Sequence, residues 1–283
     1  MSLLPRLVKR WFTDSSEHRG AAVDATLWRT VLARYEFLHA LSVPESQRLA
    51  QLAGALLAEV AVHGAGGEPL DELIRLSIAA QACLPVLELG LAAYPRFSEI
   101  IVYPGDFVVE REVEDEAGVV HEWSESLAGE AWEGGPIILS WDAASGADDG
   151  ARAFNVVVHE FAHKLDMTNG AMDGVPRFSR ALHAGLDARA WAARITADFE
   201  DFRARVDALE ASFPRHLDPE SEQAAALYDT LPFDAYAATD VAEFFSVASE
   251  TFFTDPRRFS ASYAALYRLF VAYFRQDPQA RCP

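Results

Sequence analysis

One segment, 154–163, with the sequence Phe-Asn-Val-Val-Val-His-Glu-Phe-Ala-His, limits the possible folds of this chain more than any other. Its apolar residues predict a helix in the protein interior, and His159 and His163, four residues apart, project from one face of that helix. Two buried imidazoles need polar partners, and a shared metal ion suits this spacing. Glu160 is displaced around the helix, so it can reach a metal-bound water without coordinating the metal. The motif therefore predicts a zinc site with Glu160 as general base.

A third metal ligand is expected from outside this motif. In the metzincin pattern a glycine and another ligand follow the second histidine, but those places hold Asp166 and Asn169. The segment 242–250 offers two glutamates flanked by apolar residues, and Glu243 is the better candidate. The alternative is that Glu243 is an exposed capping-box residue. Glu250 and Asp166 are candidates to hydrogen-bond a ligating imidazole, or else ordinary structural carboxylates.

Composition disfavours several other classes of protein. The formal net charge of −19 would repel nucleic-acid phosphates. Cys83 and Cys282 are too few and too badly placed for a disulfide framework, which suits a reducing cytoplasm. Charges and a proline interrupt the basic segment 1–12 before a signal peptide can form, and no uncharged apolar run is long enough to cross a bilayer. We therefore expect a cytoplasmic protein that binds neither nucleic acid nor membrane directly.

The chain divides into an N-terminal helical region, 1–95, and a catalytic region, 96–283, which we expect to form one compact unit. In the first region, apolar residues repeat at helical spacing. The pattern Ser42-x-x-Glu45 is typical of a capping box at the start of a helix. Pro85 is expected to kink or divide the last helical segment of this region.

Short β-prone runs predict a small, mostly antiparallel sheet in the second region, at 100–103, 106–111, 119–123 and 136–141. The last run, from Ile137 to Trp141, is either an exposed edge strand that pairs with an extended substrate or plain scaffold. Helical periodicity returns at about Arg152 and continues to Gln276. Strands followed by helices indicate an α+β class with a majority of helix.

Blocks outside the histidine motif carry a family resemblance: Leu84 to Gly90, Tyr103-Pro104 followed by 107–109, Gly135 to Trp141, and Asp234 to Phe245. Through them the chain resembles the Mlc titration factor A family of zinc peptidases over about residues 84–278. The segment with Glu243 also resembles a helix of the anthrax lethal factor protease domain, in which a tyrosine stands seven residues before the glutamate ligand. The resemblance implies that Glu243 is the third zinc ligand and Tyr236 a catalytic residue.

The resemblance also implies a zincin-like fold of the gluzincin type, with one zinc ion per chain held by His159, His163 and Glu243. It implies activity on peptide or protein substrates, with an aminopeptidase-like preference on small test substrates. It further implies binding of Mlc, a glucose-responsive transcriptional repressor. The chain departs from the family in a longer region around 184–222 and in a weakly matching N-terminal segment.

Two alternatives to a peptidase stay open. One is a binding protein that sequesters a regulator, with zinc holding two lobes together. Glu160 argues against a purely structural zinc, because structural sites are usually closed by four protein ligands. The other alternative is a zinc hydrolase that acts on a non-peptide bond, which nothing in the sequence excludes. In the peptidase, Tyr236 is expected to donate a hydrogen bond to the tetrahedral oxyanion; the alternative is a tyrosine that only packs.

Overall fold

The computed structural model describes residues 23–114, 120–131, 135–145, 155–214, 216–218 and 221–281. The helices are α1 (Ala25–Arg34), α2 (Glu36–His39), α3 (Val43–Glu59), α4 (Glu72–Cys83), α5 (Trp141–Ala144), α6 (Val156–Asp166), α7 (Ala188–Ala211), α8 (Glu222–Tyr228), α9 (Val241–Thr254), α10 (Pro256–Ser262), α11 (Ala264–Phe274) and α12 (Pro278–Arg281). The strands are β1 (Ala61–Gly64), β2 (Glu99–Tyr103), β3 (Phe107–Glu114), β4 (Val120–Leu127), β5 (Gly129–Ala131) and β6 (Ile137–Ser140). Segment 1–12, Arg152 and Cys282 lie outside the described residues.

The predicted helix signals in the N-terminal region are confirmed. Ser42 caps α3 with its side chain, and its own backbone N–H donates to the Glu45 carboxylate at 2.8 Å, which completes the capping box. Helix α4 ends at Cys83, two residues before Pro85. This end is expected, because proline cannot continue a helix. Among the described helices, none combines the length and the hydropathy that a membrane span needs.

The main sheet has four strands in the order β1-β2-β6-β5 and is mixed. In the part of the chain that the structure describes, strand β2 pairs in parallel with both β1 and β6, whereas β5 pairs antiparallel with β6. The prediction of a mostly antiparallel sheet is therefore wrong here. Helix α4 lies between β1 and β2 in the chain, and a crossover of this kind joins parallel strands. Strands β3 and β4 form a separate antiparallel pair.

Of the two alternatives for Ile137 to Trp141, the exposed edge strand is wrong and the scaffold strand agrees with the structure. Strand β6 lies between β2 and β5, where Ile137 aligns with Ile100 on one side and with Ala131 on the other. Ile137 and Leu139 are fully buried. A short, nearly continuous apolar run is typical of a strand that is covered on both faces. Among the strands that the structure describes, β5 lies at the edge beside β6.

Helices α6 and α9 lie in the core, in direct contact with each other. Aromatic side chains hold α9 in place: Phe245 packs on Phe270 of α11, and Phe252 packs on Phe259 of α10. Trp191 of α7 stacks on Phe270 with ring centroids 5.6 Å apart. Each fully buried aromatic side chain of this kind contributes roughly 1.5–3 kcal/mol to stability. The C-terminal helices therefore fix α9 against α6, which brings together residues that are far apart in the chain.

Candidate metal centre

Helix α6 carries both histidines of the motif into the interior. The side-chain oxygen of Asn155 accepts a hydrogen bond from the N–H of Val158 at 2.9 Å and so caps the first turn. Every residue of α6 is buried. Helical geometry places His159 and His163 on one face, with ring centroids 4.7 Å apart. The two imidazoles therefore converge as their spacing predicts.

Glu243 of α9 meets the two histidines. Its Oε2 atom lies 3.1 Å from Nε2 of His159 and 3.3 Å from Nε2 of His163. The two imidazole Nε2 atoms are 3.0 Å apart. Despite these short distances, Glu243 Oε2 has no well-aligned hydrogen bond to any described residue. Three potential ligand atoms thus point toward one another around a common point.

Glu243 stands in the first turn of α9, where a capping-box residue would stand, but its side chain turns to the histidines and not back to the N-cap. The Asp240 side chain accepts the backbone N–H groups of Ala242 and Glu243, at 2.8 and 2.9 Å. The Glu243 side chain is only 16% exposed and is directed at the imidazoles. The alternative in which Glu243 is an exposed capping-box residue is therefore not what the structure shows.

The donor atoms of His159, His163 and Glu243 could hold a metal ion. Tetrahedral zinc with bonds of about 2.0–2.1 Å places neighbouring ligand atoms roughly 3.3 Å apart. The observed separations of 3.0, 3.1 and 3.3 Å are close to that value. A cation would also partner the buried Glu243 oxygen, which has no hydrogen bond among the described residues. The residues present therefore fit a metal ion, and the spacing alone does not identify which one.

The ionisable groups of this cluster shift one another's pKa values. Burial opposes protonation of His159, but the carboxylates of Glu243 and Glu250 raise its pKa well above the ordinary value. Burial likewise disfavours the anion of Glu243, yet the two histidines hold its pKa far below the usual range. Glu243 is therefore ionised and ready to bind a cation. A bound cation would compete with a proton for Nε2 of His159.

Glu250, two turns after Glu243 on α9, contacts His159 at Nδ1, the ring nitrogen that faces away from Glu243. Its Oε1 atom lies 2.6 Å from Nδ1 of His159, and its Oε2 atom accepts the backbone N–H of Asn155 at 2.9 Å. A carboxylate on Nδ1 fixes the tautomer in which Nε2 carries a lone pair, as a metal ligand must. The expected contact between Glu250 and an imidazole of the histidine motif is therefore present in the structure.

Asn155 and Gln81 extend this network into the N-terminal region, and neither is among the site residues predicted from the sequence. The Asn155 amide donates to the side-chain oxygen of Gln81 at 2.9 Å, and the Gln81 amide donates to the carbonyl of Ala144 at 3.2 Å. Asn155 just before an apolar helix is an N-cap signal that was available. Gln81 lies 74 residues away in the chain, and no local pattern marks it.

Glu160 lies beside the cluster and is only 4% exposed. Burial raises the pKa of its carboxyl, an effect that His159 and His163 oppose. Helical geometry displaces it from the face that carries the histidines. It is a buried carboxyl with a raised pKa at the edge of a cluster of potential metal ligands.

Asp166 does not hydrogen-bond a histidine. Its Oδ2 atom accepts the backbone N–H of Gly174 at 2.9 Å. Among the described residues, neither its other oxygen nor Nδ1 of His163 has a hydrogen-bond partner. Burial raises the pKa of Asp166 to about 7. In this structure Asp166 therefore holds the loop that follows α6, in keeping with the structural alternative.

Tyr236 lies on the open side of the cluster, in the 3₁₀ turn Ala235–Ala238 that precedes α9. Asp234 caps this turn by accepting the N–H of Tyr236 at 2.8 Å. The Tyr236 ring lies 6.1 Å from the His159 ring, centroid to centroid, and the residue is 44% exposed. The tyrosine is therefore placed next to the cluster at a point that solvent reaches.

Comparison with known proteins identifies the family. Residues 9–275 match the family model described as glucose-regulated metallo-peptidase M90. Mlc titration factor A of Enterobacter sp. is 38% identical over 274 residues, which cover 96% of this chain and 93% of the relative. The protein of the same name from Serratia proteamaculans is 36% identical over 265 residues, 93% of this chain and 92% of the relative. With a match over nearly its whole length and two histidines and a glutamate converging in its core, the chain belongs to the glucose-regulated metallo-peptidase family M90.

Proposed function

We propose that this chain is a zinc-dependent peptidase, with one zinc ion held by His159, His163 and Glu243. The observation that supports this most is the convergence of three ligand atoms within 3.3 Å of one another beside a buried carboxyl that is not among them. Two imidazoles and one carboxylate form a ligand set that catalytic zinc sites use. Three protein ligands leave a position open, unlike the four that close a structural site.

Zinc supplies Lewis-acid chemistry in such a site, since it polarises a carbonyl group and lowers the pKa of water to about 7. Glu160 acts as general base and removes a proton from the attacking water. It then passes that proton to the nitrogen of the leaving amine, so that the peptide bond is replaced by a carboxylate and an amine. Burial, which raises the pKa of Glu160, suits both steps because the group must take and release a proton near neutral pH.

Tyr236 is the proposed donor to the oxyanion that forms when water attacks the substrate carbonyl. Its position beside His159, at the exposed side of the cluster, supports this role. Glu250 holds His159 in the tautomer needed for coordination. Tyr236 and Glu250 both lie next to His159, and groups that are positioned in advance reduce the reorganisation needed during a reaction.

The proposed substrate is a peptide or protein segment in extended conformation, cleaved with an aminopeptidase-like preference. Within the described residues, β5 pairs with β6 on one side only. An extended peptide can add to a free strand edge through main-chain hydrogen bonds. Strand β5 also contacts α6, so a peptide bound along it would pass close to the ligand cluster.

A second proposed function is the binding of an Mlc-type transcriptional repressor. Its support is the name shared by the relatives, Mlc titration factor A. This function does not require hydrolysis, because a partner surface need not involve the proton shuttle. The chain would then be a binding protein with a peptidase site, or a binding protein alone.

Replacement of Glu160 by Gln tests the two functions separately. Gln retains the size of the side chain but cannot act as base, so we expect zinc content to stay near one per chain while peptide hydrolysis falls by at least ~10²-fold. Binding to a purified Mlc-type repressor, measured by calorimetry, should be unchanged. Glu200→Gln is the matched control, because Glu200 lies on the exposed surface of α7.

The possible outcomes differ clearly. Hydrolysis that survives in pure Glu160→Gln protein means that another group is the base or that the activity comes from a contaminant. If the parent protein binds zinc and repressor but cleaves no peptide in a broad library, the binding function is the correct one. If neither the purified parent nor protein reconstituted with zinc retains the metal, the proposed zinc site is wrong.

A further inference from the structure

Strand β5 begins with a glycine that lies directly against Glu160. A β-carbon at residue 129 would lie 2.4 Å from Oε1 and 2.8 Å from Cγ of Glu160. It would also lie 2.6 Å from Cγ2 of Val156, one turn earlier on α6. Non-bonded carbon and oxygen atoms do not approach this closely, since their favourable contact distance is about 3.5–4.0 Å. Any side chain at residue 129 must therefore displace the side chain of Glu160, the side chain of Val156 or the backbone of β5.

The backbone conformation of Gly129 does not require glycine. The glycines with left-handed φ angles in the described part of the chain are residues 66, 67, 90, 170 and 174, and Gly129 is not among them. Glycine weakens a strand, because it adds no packing and has a larger conformational entropy to lose. Its value at this position is consequently the space that the absent side chain leaves for Glu160.

Both elements around this contact are held firmly, so neither relieves the conflict easily. Gly129 aligns with the fully buried Leu139 of β6, and the carbonyl of Ala128 accepts the N–H of Ser140 at 2.7 Å. On the other side, Asn155 caps α6 with its side chain, and its backbone N–H donates a hydrogen bond to the Glu250 carboxylate. The group with the most freedom to move is the Glu160 carboxylate.

No described residue donates a hydrogen bond to Glu160, so packing is what orients its side chain. We propose that Gly129 is a positioning residue: the missing side chain leaves the room in which the Glu160 carboxylate stays beside the ligand cluster. This inference rests on the proposed role of Glu160 as general base. A methyl group at residue 129 would push the carboxylate away from the position where it meets the attacking water.

Kinetics of Gly129→Ala give the first test. A displacement of about 1 Å of a catalytic group costs on the order of 10²-fold, so we expect kcat to fall by about that factor while KM and zinc content change little. Gly185→Ala is the matched control, because a β-carbon at residue 185 would have no atom within 4 Å. Parent-like kcat in Gly129→Ala overturns the inference, and so does a loss confined to KM, which would place Gly129 in substrate binding.

Thermal stability gives a second test that does not depend on activity. Glu160→Ala removes both atoms of Glu160 that the methyl group would meet. If those contacts matter, Gly129→Ala lowers Tm in the parent by more than it does in the Glu160→Ala background. The reason is that the effects of two substitutions on stability do not add when the two residues are in contact. A variant that folds only in the Glu160→Ala background supports the inference as well. Equal Tm changes in both backgrounds, or failure to fold in both, would show that the methyl group conflicts with α6 itself and overturn the inference.

The two tests also separate this inference from the proposed function. If the parent hydrolyses peptides and Glu160→Gln does not, the general base is established whatever Gly129→Ala does. If the parent shows no hydrolysis, the proposed peptidase function fails, while the Tm comparison still reports on the contact between residues 129 and 160. Each result therefore applies to one of the two claims.

Discussion

The hydrogen bond between Glu250 and His159 leads to a quantitative prediction for metal affinity. Nδ1 of His159 must carry its proton if Nε2 is to bind zinc, and Glu250 Oε1 accepts that proton at 2.6 Å. In Glu250→Gln the amide oxygen is needed for the N–H of Asn155, which donates to Oε2 at 2.9 Å. The amide NH₂ group then faces the N–H of His159, so two donors meet where a donor and an acceptor met before.

Loss of such a partner typically weakens metal binding 10- to 100-fold, which corresponds to about 1.4–2.7 kcal/mol. Competition with a zinc chelator of known affinity measures this change directly. Glu243→Gln removes a ligand and should lower affinity by more than Glu250→Gln, while the exposed Glu200→Gln should leave it unchanged. All three variants must keep the circular dichroism spectrum of the parent for the comparison to hold.

Two results would refute this reasoning. If Glu250→Gln binds zinc as tightly as the parent, the carboxylate does not stabilise the coordinating form of His159. If Glu250→Gln loses zinc and Glu243→Gln keeps it, the third ligand has been assigned to the wrong glutamate of α9. The structure favours Glu243, because its Oε2 atom is the one that approaches both Nε2 atoms.

Two further substitutions test the surroundings of the centre. Tyr236→Phe removes one hydroxyl and keeps the ring, so kcat should fall on the order of 10²-fold with KM and zinc content little changed; an unchanged kcat would assign the tyrosine to structure. For Asp166, burial raises the pKa to about 7, compared with about 3.9 in an unfolded chain. At pH values between these two pKa values, Asp166 binds a proton in the folded protein but not in the unfolded chain. Its contribution to the free energy of unfolding therefore falls as pH rises, by up to about 1.4 kcal/mol per pH unit. Urea unfolding of metal-free protein at pH 5 and pH 7.5 should therefore show parent stability falling relative to Asp166→Asn, and an equal difference at both pH values would contradict the shift.

Local sequence patterns predicted the elements that depend on neighbouring residues. The period of an α-helix alone places His159 and His163 on one face, whatever the rest of the chain does. The capping box at Ser42 and Glu45 is local for the same reason, because the interacting groups are three residues apart. Such contacts need no knowledge of the tertiary structure.

Sheet order was not accessible in this way. Each β-prone run indicates a strand, but the pattern does not state which strands pair or in which direction. Strand β6 pairs with β2, although β3, β4 and β5 lie between the two in the chain. Strand β1 lies in a region whose apolar spacing predicts helix, and it joins the sheet through its pairing with β2. Strand pairing is a long-range choice, so the mixed sheet appears only in the folded chain.

The sequence by itself thus determined the chemistry that is available at the centre: two histidines and a carboxylate on one helix, and a second helix with two glutamates. Tertiary packing alone decided their arrangement, directing Glu243 to Nε2 of both histidines and Glu250 to Nδ1 of His159, 91 residues away in the chain. The physical reason is that spacing within a helix is set by its 3.6-residue period, whereas the rotation of one helix against another is set by the side chains that pack between them.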